Sequence, residues 1–579
     1  MTSLLLIGVA GMDWAGFETG TQSGALPEMA ALRAQGCASW LSGAPVTDGP
    51  AAWASVAAGV EPDVHGVWRN EEEWPGGLRP TGKSSWRAPP AWARLEAAGV
   101  RTASVAWPAT RPGADWPGLH IDTRFAQSSS IRAEDWALPR RCVPDAQREA
   151  LRNRRVHVSK ITGSMLAPLF PDLAAIDPVG DECVEAIALG MAQAATIQSA
   201  AAWILDQPAI DAVFVHHPWL HQVRLAFDSR PEARYRNVVS SAWRFLDSLV
   251  GALARQVGKE CLVLLVSAGW RSSPGVILTA NSGVAPHPEI QGAGVLDIAP
   301  TVLARFGLED RSLVGRRLAV VDAPTSPRPA PSPPAEIPEK PDAMMVYALR
   351  KHGYRPPPRP GGAWKAQGLA ELALMLLDRS PASALKAANA ALFHVPEDVT
   401  ALRIKTRAHV ALGEAEPLPR LGDALLKLAP DRGWGALAHG AFHVLRGEPS
   451  LAAPWLLKAE EDPDVGTLMS TAAVWLAASR PAAARRVFSA ILVKDPDNVA
   501  ALIGLAMGSI AARDFLGAEK RLVQALKVDP GRPAIYLQLA QAYARTSRKS
   551  EADRAAEYAV RLGAPPALAA AARAGQLRG

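Results

Sequence analysis

The chain is poor in cysteine, with four in 579 residues, Cys37, Cys142, Cys183 and Cys261. None sits in a CxxC pair, and the wide spacing forms no disulfide framework. That excludes a cystine-stapled secreted domain and favours a reducing compartment, the cytoplasm. No uninterrupted apolar run reaches the ~18 residues of a membrane span. The first apolar run, Leu4–Val9, has no basic segment before it and Asp13 soon after it, so it reads as a buried strand and not a signal peptide. Charge of one sign is also scarce. The net value of +6, from 62 basic and 56 acidic residues, gives no argument for nucleic acid as a partner. With 49% hydrophobic and 20% charged residues, a wholly disordered chain is excluded.

What is present is unevenly placed. Of 18 tryptophans, 14 lie between Trp14 and Trp270 and four from Trp364 onward. Eight prolines fall in the 18 residues from Pro324 to Pro341. A segment of that composition buries no core and predicts an extended spacer. The expected division is a domain over 1–321, a linker over 322–342 and a second domain over 343–579.

The second domain is repetitive. Prolines that follow helical stretches stand at Pro396, Pro430, Pro463, Pro496, Pro530 and Pro565, at intervals of 34, 33, 33, 34 and 35. A period near 34 is the signature of the tetratricopeptide repeat, a stacked pair of antiparallel helices. Counted from Val499, the positions that need small or apolar residues hold Leu502, Leu505, Ala518 and Ala525. The next repeat gives Leu539, Ala540, Ala552 and Ala559. Small residues belong where two helices cross closely. The units over 397–463 fit less well, with Leu418 and Leu451 at the small-residue position. A degenerate unit covers 363–396, making about six repeats.

The first domain alternates strand and helix. Strands are expected at Leu4–Val9, Arg101–Ala106, Asp211–Val215 and Cys261–Ser267. Helices are expected at Leu26–Gln35, Pro50–Ala58, Trp92–Ala98, Tyr235–Gln256 and Leu296–Phe306. Apolar strands alternating with helices predict an α/β fold with a parallel sheet covered on both faces.

Five segments in order carry a resemblance. They are Leu6-Ile-Gly-Val-Ala-Gly-Met-Asp-Trp14, Leu26–Gly36, Pro50–Gly66, Ala106–Pro112 and Leu296–Leu303. Together they resemble the alkaline phosphatase superfamily, in the branch of the type I phosphodiesterases and nucleotide pyrophosphatases. The resemblance spans most of 1–320 and leaves about 125–200 unmatched. It implies two divalent metals, usually zinc, and a Thr or Ser that attacks phosphorus between them.

Carried over position by position, the resemblance implies that this equipment is mostly missing. The first metal ligand falls on Ala10 and the nucleophile on Gly49. An Asp and a His four apart fall on His217 and His221. An Asp-His pair falls on Ala268 and Gly269, and a final His on Arg271. One of the seven positions keeps a matching residue, His221. Alanine and glycine have no donor atom, and Arg271 would put a permanent cation where a metal should bind. A slipped alignment would bring up Thr47 or Asp48, but the Gly49-Pro50 pair suits a helix start and leaves both outside it.

Other residues have plainer readings. His217 and His221 could share one face of a helix beginning at Pro218, as a packed cluster with His216 or as a ligand pair. Arg140, Arg141, Arg148, Arg152, Arg154, Arg155 and Lys160 read as a solvated face, with an anionic partner as the alternative. The tryptophans read as packing rather than a sugar-stacking surface. Asp13 and Trp14 read as capping and packing residues.

The expected function is a catalytically inactive phosphodiesterase-like domain joined to a repeat domain that binds a protein or peptide. No cofactor, no nucleic acid and no membrane span are expected. The alternative is an active metal-dependent phosphodiesterase with a differently built site, and only that alternative would need zinc. In the best-fitting repeats the first helices run over 499–512 and 533–546. Their outward positions, Ser509, Arg513, Gln538, Gln541 and Arg545, suit an acidic or polar peptide.

Overall fold

The structure is a computed structural model. It describes residues 2–42, 49–74, 77–127, 132–133, 136–170, 182–228, 232–270, 273–280, 290, 292–321, 327–331, 366, 369–370, 373–374, 377, 380–496, 498–529, 532–562 and 564–577. The chain divides into two compact units, Met1–Tyr354 and Arg355–Gly579. The expected linker lies outside the described residues except for 327–331. Most of the degenerate first repeat lies outside them too, as does Pro530.

The strands of the first unit are β1 (Leu4–Val9), β2 (Gly36–Leu41), β3 (Glu71–Trp74), β4 (Gly77–Pro80), β5 (Thr102–Val105), β6 (Leu119–Ile121), β7 (Ala212–His217), β8 (Leu262–Ser267) and β9 (Gly275–Ala280). β3 and β4 form a separate antiparallel hairpin. The others make one sheet in the order β2-β9-β8-β1-β7-β5-β6. It is mostly parallel, and β9 alone runs against its two neighbours. β1 is central and reads Leu-Leu-Leu-Ile-Gly-Val because both of its faces are covered. Leu5, Ile7 and Val9 belong to one buried layer, and Leu4 and Leu6 to the opposite one.

Helices cover both faces. Pro27–Ala34, Glu182–Leu205, Trp219–Phe227 and Val238–Gln256 supply the first layer, and Pro50–Ala58, Ala91–Ala97 and Ile298–Arg305 the second. Cys183–Leu205 is long and apolar enough to cross a membrane by length and composition. Here Ile187, Ile197, Ala201 and Ile204 bury it against the sheet. Helix Pro27–Ala34 has no side-chain cap of its own. Its Glu28 and Met29 N–H groups donate instead to the Asp247 carboxylate at 3.0 and 2.8 Å, which satisfies donors that would otherwise be orphaned.

The tryptophans are core. Trp53, Trp92, Trp107 and Trp116 are buried and meet edge to face, with centroids 5.5 Å (Trp53–Trp107), 5.9 Å (Trp92–Trp107) and 5.8 Å (Trp92–Trp116) apart. They offer no sugar-stacking surface. The basic stretch is largely consumed within the unit. Arg155 lies 3.5 Å over the Trp136 ring and donates to the Phe125 carbonyl. Arg148 donates to the Leu138 and Pro139 carbonyls. Arg141 pairs with Asp115, and Arg152 with Glu149.

Part of the expected spacer is paired. β10 (Leu308–Glu309) and β11 (Arg328–Pro329) form a two-strand parallel ladder. Arg328 N–H donates to Gly307 O at 3.0 Å and Ala330 N–H to Glu309 O at 2.8 Å. Proline suits such an edge, since one side of the strand needs no donor.

The second unit is a run of antiparallel helix pairs. Val399–Leu412 pairs with Leu418–Leu428, Trp434–Leu445 with Pro449–Ala459, and Val465–Ala477 with Pro481–Lys494. Val499–Ala511 then pairs with Phe515–Val528, and Pro533–Arg545 with Lys549–Arg561. Pro381–His394 precedes them and Pro566–Arg573 follows. Ala518, Ala525, Ala540, Ala552 and Ala559 are at most 1% exposed, as their crossing positions require. Leu451 is 56% exposed and does not occupy the crossing position; Ala452 does, at 0%. Ala452 has the same offset from Pro430 that Ala518 has from Pro496.

Candidate functional site

The carboxyl ends of β1, β7 and β8 lie side by side, so the sheet register brings Ala10, His217, Ala268 and Gly269 to one edge. Ala10 N–H donates to His217 O at 3.0 Å. The loop after β1 turns at Gly11, φ +83°, where a Cβ would stand 2.6 Å from the backbone of His221. Ser267 Oγ donates to the Met12 carbonyl at 2.7 Å and ties β8 to the same loop. Gly49, φ +83°, precedes helix Pro50–Ala58. That helix lays Trp53 against Gly8 of β1 and against the His216 ring, 4.6 Å between centroids. Thr47, Asp48 and Arg271 lie outside the described residues.

His217 is the last residue of β7 and His221 lies in the following helix, Trp219–Phe227. The two therefore do not share a helix face: β7 runs on through His217 because its core pattern does. His217 is fully buried, and neither ring nitrogen has a hydrogen-bond partner among the described residues. Burial pushes its pKa down to about 4. Burial, with the neighbouring imidazoles, pushes His216 down to about 3.

The charged centre of this edge is Arg224, which the sequence reading missed. Its Nη1 is 2.5 Å from Asp13 Oδ2 and donates to Gly11 O at 2.9 Å. Its Nε meets Asp228 at 3.3 Å, and its guanidinium lies 4.9 Å from the Trp270 ring. Trp270 Nε1 donates to the same Asp228 at 2.9 Å, and the His221 ring meets Trp270 edge on at 5.3 Å. One guanidinium thus joins the loops after β1 and β8 to the helix after β7. The signal was available as the helical spacing His221, Arg224, Asp228. Asp13 is the expected helix cap, accepting from Gly16 N–H at 2.7 Å, and it carries this ion pair as well.

Two zinc ions do not fit these residues. A pair of divalent cations needs several anionic and imidazole donors at fixed spacing. Among the described residues no group of three or more His, Cys, Asp and Glu could hold a metal. The carboxylates at this edge, Asp13 and Asp228, are bound to Arg224. Gly269 has φ +107°, and a Cβ there would stand 2.4 Å from the Ser273 carbonyl oxygen. Real Cβ atoms do not approach so closely, so the backbone itself bars a histidine from this position.

Two other polar sets are enclosed. Val67 N–H donates to His65 Nδ1, which leaves the proton on Nε2, 3.0 Å from Ser55 Oγ. A histidine in that tautomer cannot take a proton from the serine, so the pair is no activated nucleophile. Ser104, His120 and Glu96 are linked at 2.7 and 2.5 Å, but Ser104 and His120 are fully buried, the Glu96 side chain is 6% exposed, and the His120 ring lies against Trp92 and Trp116.

In the second unit a cavity of about 610 Å³ gathers four of the five residues expected to meet a partner, Arg513, Gln538, Gln541 and Arg545. Ser509 is not among them. It is buried and accepts from Arg521 Nη1 at 3.2 Å, because its position faces the paired helix. Apolar groups from neighbouring repeats, Leu476, Met507, Ile510 and Phe515, complete the walls. The sequence reading took only the polar half.

Comparisons with known proteins follow this division. No curated protein matches the chain. Similar solved structures include the APC/C hetero-tetramer Cut9–Hcn1, at 16% identity, TM-score 0.30, 37% of this chain and 43% of that one. Another is a tetratricopeptide repeat protein from Parabacteroides merdae, at 15%, TM-score 0.29, 41% of this chain and 91% of that one. A third is phosphonoacetate hydrolase from Sinorhizobium meliloti in complex with phosphonoacetate, at 15%, TM-score 0.31, 46% of this chain and 56% of that one. The chain thus spans under half of the first of these and little over half of the third. A family model described as type I phosphodiesterase / nucleotide pyrophosphatase matches residues 4–269. Residues 4–269 thus match the type I phosphodiesterase/nucleotide pyrophosphatase family, and they are followed in the same chain by a run of helix pairs of tetratricopeptide type.

Proposed function

We propose that this protein is a catalytically inactive phosphodiesterase-like scaffold whose solenoid takes a protein or peptide. One observation carries the reading: Gly269, at a family ligand position, is closed by the Ser273 carbonyl, while Arg224 neutralises the carboxylates beside it. Ala10 and Ala268 supply no donor, and Gly49 supplies no hydroxyl to attack phosphorus. The cavity around Arg513 and Arg545 supports the binding half of the reading, with an acidic or polar peptide as ligand. The same reading places the chain in the cytoplasm, in keeping with its four free cysteines.

The test is elemental analysis of the full chain purified from zinc-supplemented medium, with hydrolysis of an aromatic phosphodiester measured on the same sample. The expected result is substoichiometric zinc and manganese and no hydrolysis above buffer. About two metal equivalents with turnover, the two-metal chemistry of such sites, would establish an active enzyme instead.

A further inference from the structure

One wall of the cavity in the last repeats is built by the segment that follows the last helix, which sits where a ligand chain would run. Helix Pro566–Arg573 ends in a left-handed turn at Gly575, φ +68°. There Gln576 N–H donates to Ala571 O at 2.8 Å and Gly575 N–H to Ala572 O at 2.9 Å. This glycine stop reverses the chain out of the helix. A Cβ here would also stand 3.3 Å from the Arg545 side chain, a tight contact from which the arginine would have to shift. The reversal delivers Leu577 to the cavity wall, where Gln541 Nε2 donates to its carbonyl oxygen at 2.8 Å.

The polar and the apolar half of a peptide site are therefore both visible. A carboxamide reads a backbone carbonyl, and an apolar wall takes a leucine. Arg513 and Arg545 are exposed, and no acidic side chain is among the described residues that line the cavity. The side chains of the described tail, 574–577, carry no carboxylate.

We propose that the segment 574–577 is an exchangeable self-ligand, and that a partner peptide carrying a leucine-like side chain followed by carboxylates enters by displacing it. The proposal rests on the reading of the solenoid as a peptide binder and adds to it the identity of the competitor. Among the described residues, one hydrogen bond and one half-buried leucine hold the segment 574–577. A ligand whose carboxylates pair with Arg513 and Arg545 adds charge attraction to such contacts, and the tail lowers its apparent affinity by the fraction of time the site is self-occupied.

The experiment uses a fluorescein-labelled peptide, Ala-Gly-Gln-Leu-Glu-Asp, titrated by anisotropy into three proteins. These are the full chain, a chain ending at Arg573, and full-length Gln541→Ala. Circular dichroism melts check that the solenoid is intact in each. If the tail is bound about nine-tenths of the time, its removal tightens binding about tenfold. Raising salt from 0.05 to 0.5 M should weaken it again, since exposed charges are screened. Arg545→Glu in the truncated chain should abolish binding. Equal affinity in full and truncated chains would overturn the self-ligand while leaving the solenoid a peptide binder. No binding by any of the three, with folded solenoids, would remove both. For Gln541→Ala, looser binding alongside a truncated chain that is tighter would place the carboxamide on the partner and support exchange.

Discussion

Acid should unfold the first unit through three buried imidazoles. Burial holds His65 and His217 down to a pKa of about 4, and His216 to about 3. In the unfolded chain each returns to ~6.5. A depressed folded pKa means that the unfolded state binds more protons between the two values. The stability these groups permit is therefore fully present above pH ~6.5 and falls as pH drops toward 4. Each contributes about 1.4 kcal/mol per pH unit. At pH 5 the loss is about 2 kcal/mol per histidine and about 6 kcal/mol for the three, against a total of roughly 5–15 kcal/mol for a domain. Urea unfolding at pH 7, 6 and 5 measures this, with tryptophan fluorescence as the probe because Trp53 and Trp107 lie against His216. His217→Leu isolates one term. Its ring nitrogens have no partner among the described residues, so the substitution orphans nothing. It should be within about 1.5 kcal/mol of the parent at pH 7 and should gain about 2 kcal/mol on it at pH 5. Stability that stays flat from pH 7 to 5 would refute the reasoning. A loss above ~3 kcal/mol at pH 7 would show that His217 has a partner worth that much.

Gly269→Ala should cost more than about 2 kcal/mol in a urea melt, from the left-handed strain and the contact with the Ser273 carbonyl; a cost under ~0.5 kcal/mol would mean that the turn relaxes and the position can open. Arg224→Met leaves Asp13 and Asp228 without their cation and should cost about 3 kcal/mol near pH 7; an unchanged melt would remove Arg224 as the organiser of that edge. Ala10→Asp alone should yield no phosphodiester hydrolysis, its carboxylate pairing with Arg224 instead, and measurable turnover would contradict the inactive reading. Limited proteolysis should release stable fragments of roughly 35 and 25 kDa, because a segment of Pro-rich composition is poor in the apolar residues a core needs; loss of both halves with no stable fragment counts against the division.

Local pattern wrote most of the fold into the sequence. Leu4–Val9 and Cys261–Ser267 are continuous apolar runs because both sheet faces are covered, and the helix at Pro50 is announced by Gly49 and Pro50. The repeat period survived because most crossings between helices carry a small residue at one offset, as Ala452, Ala518 and Ala552 do, with the buried Leu418 as the exception. Pairings across long stretches of chain left no such trace. Asp247 caps a helix more than 200 residues earlier, and Arg224 reaches back to Asp13. Neither carries a periodicity. The residue types at the positions the resemblance marks were legible, but what bars a larger side chain at one of them is the backbone at Gly269. Ser509 was misplaced because spacing gives the face of a helix only to within a residue, and Arg521 claims that one.

The short β10–β11 ladder has a mechanical consequence. A pull applied at Ala330 bears on two backbone bonds, Arg328 N–H to Gly307 O and Ala330 N–H to Glu309 O, whereas the seven-stranded sheet is held by many more. Two bonds loaded by themselves yield before a long ladder does. Their rupture frees residues 327–331, about 17 Å of chain at full extension, while the sheet stays whole: the ladder is a fuse at the edge of the fold.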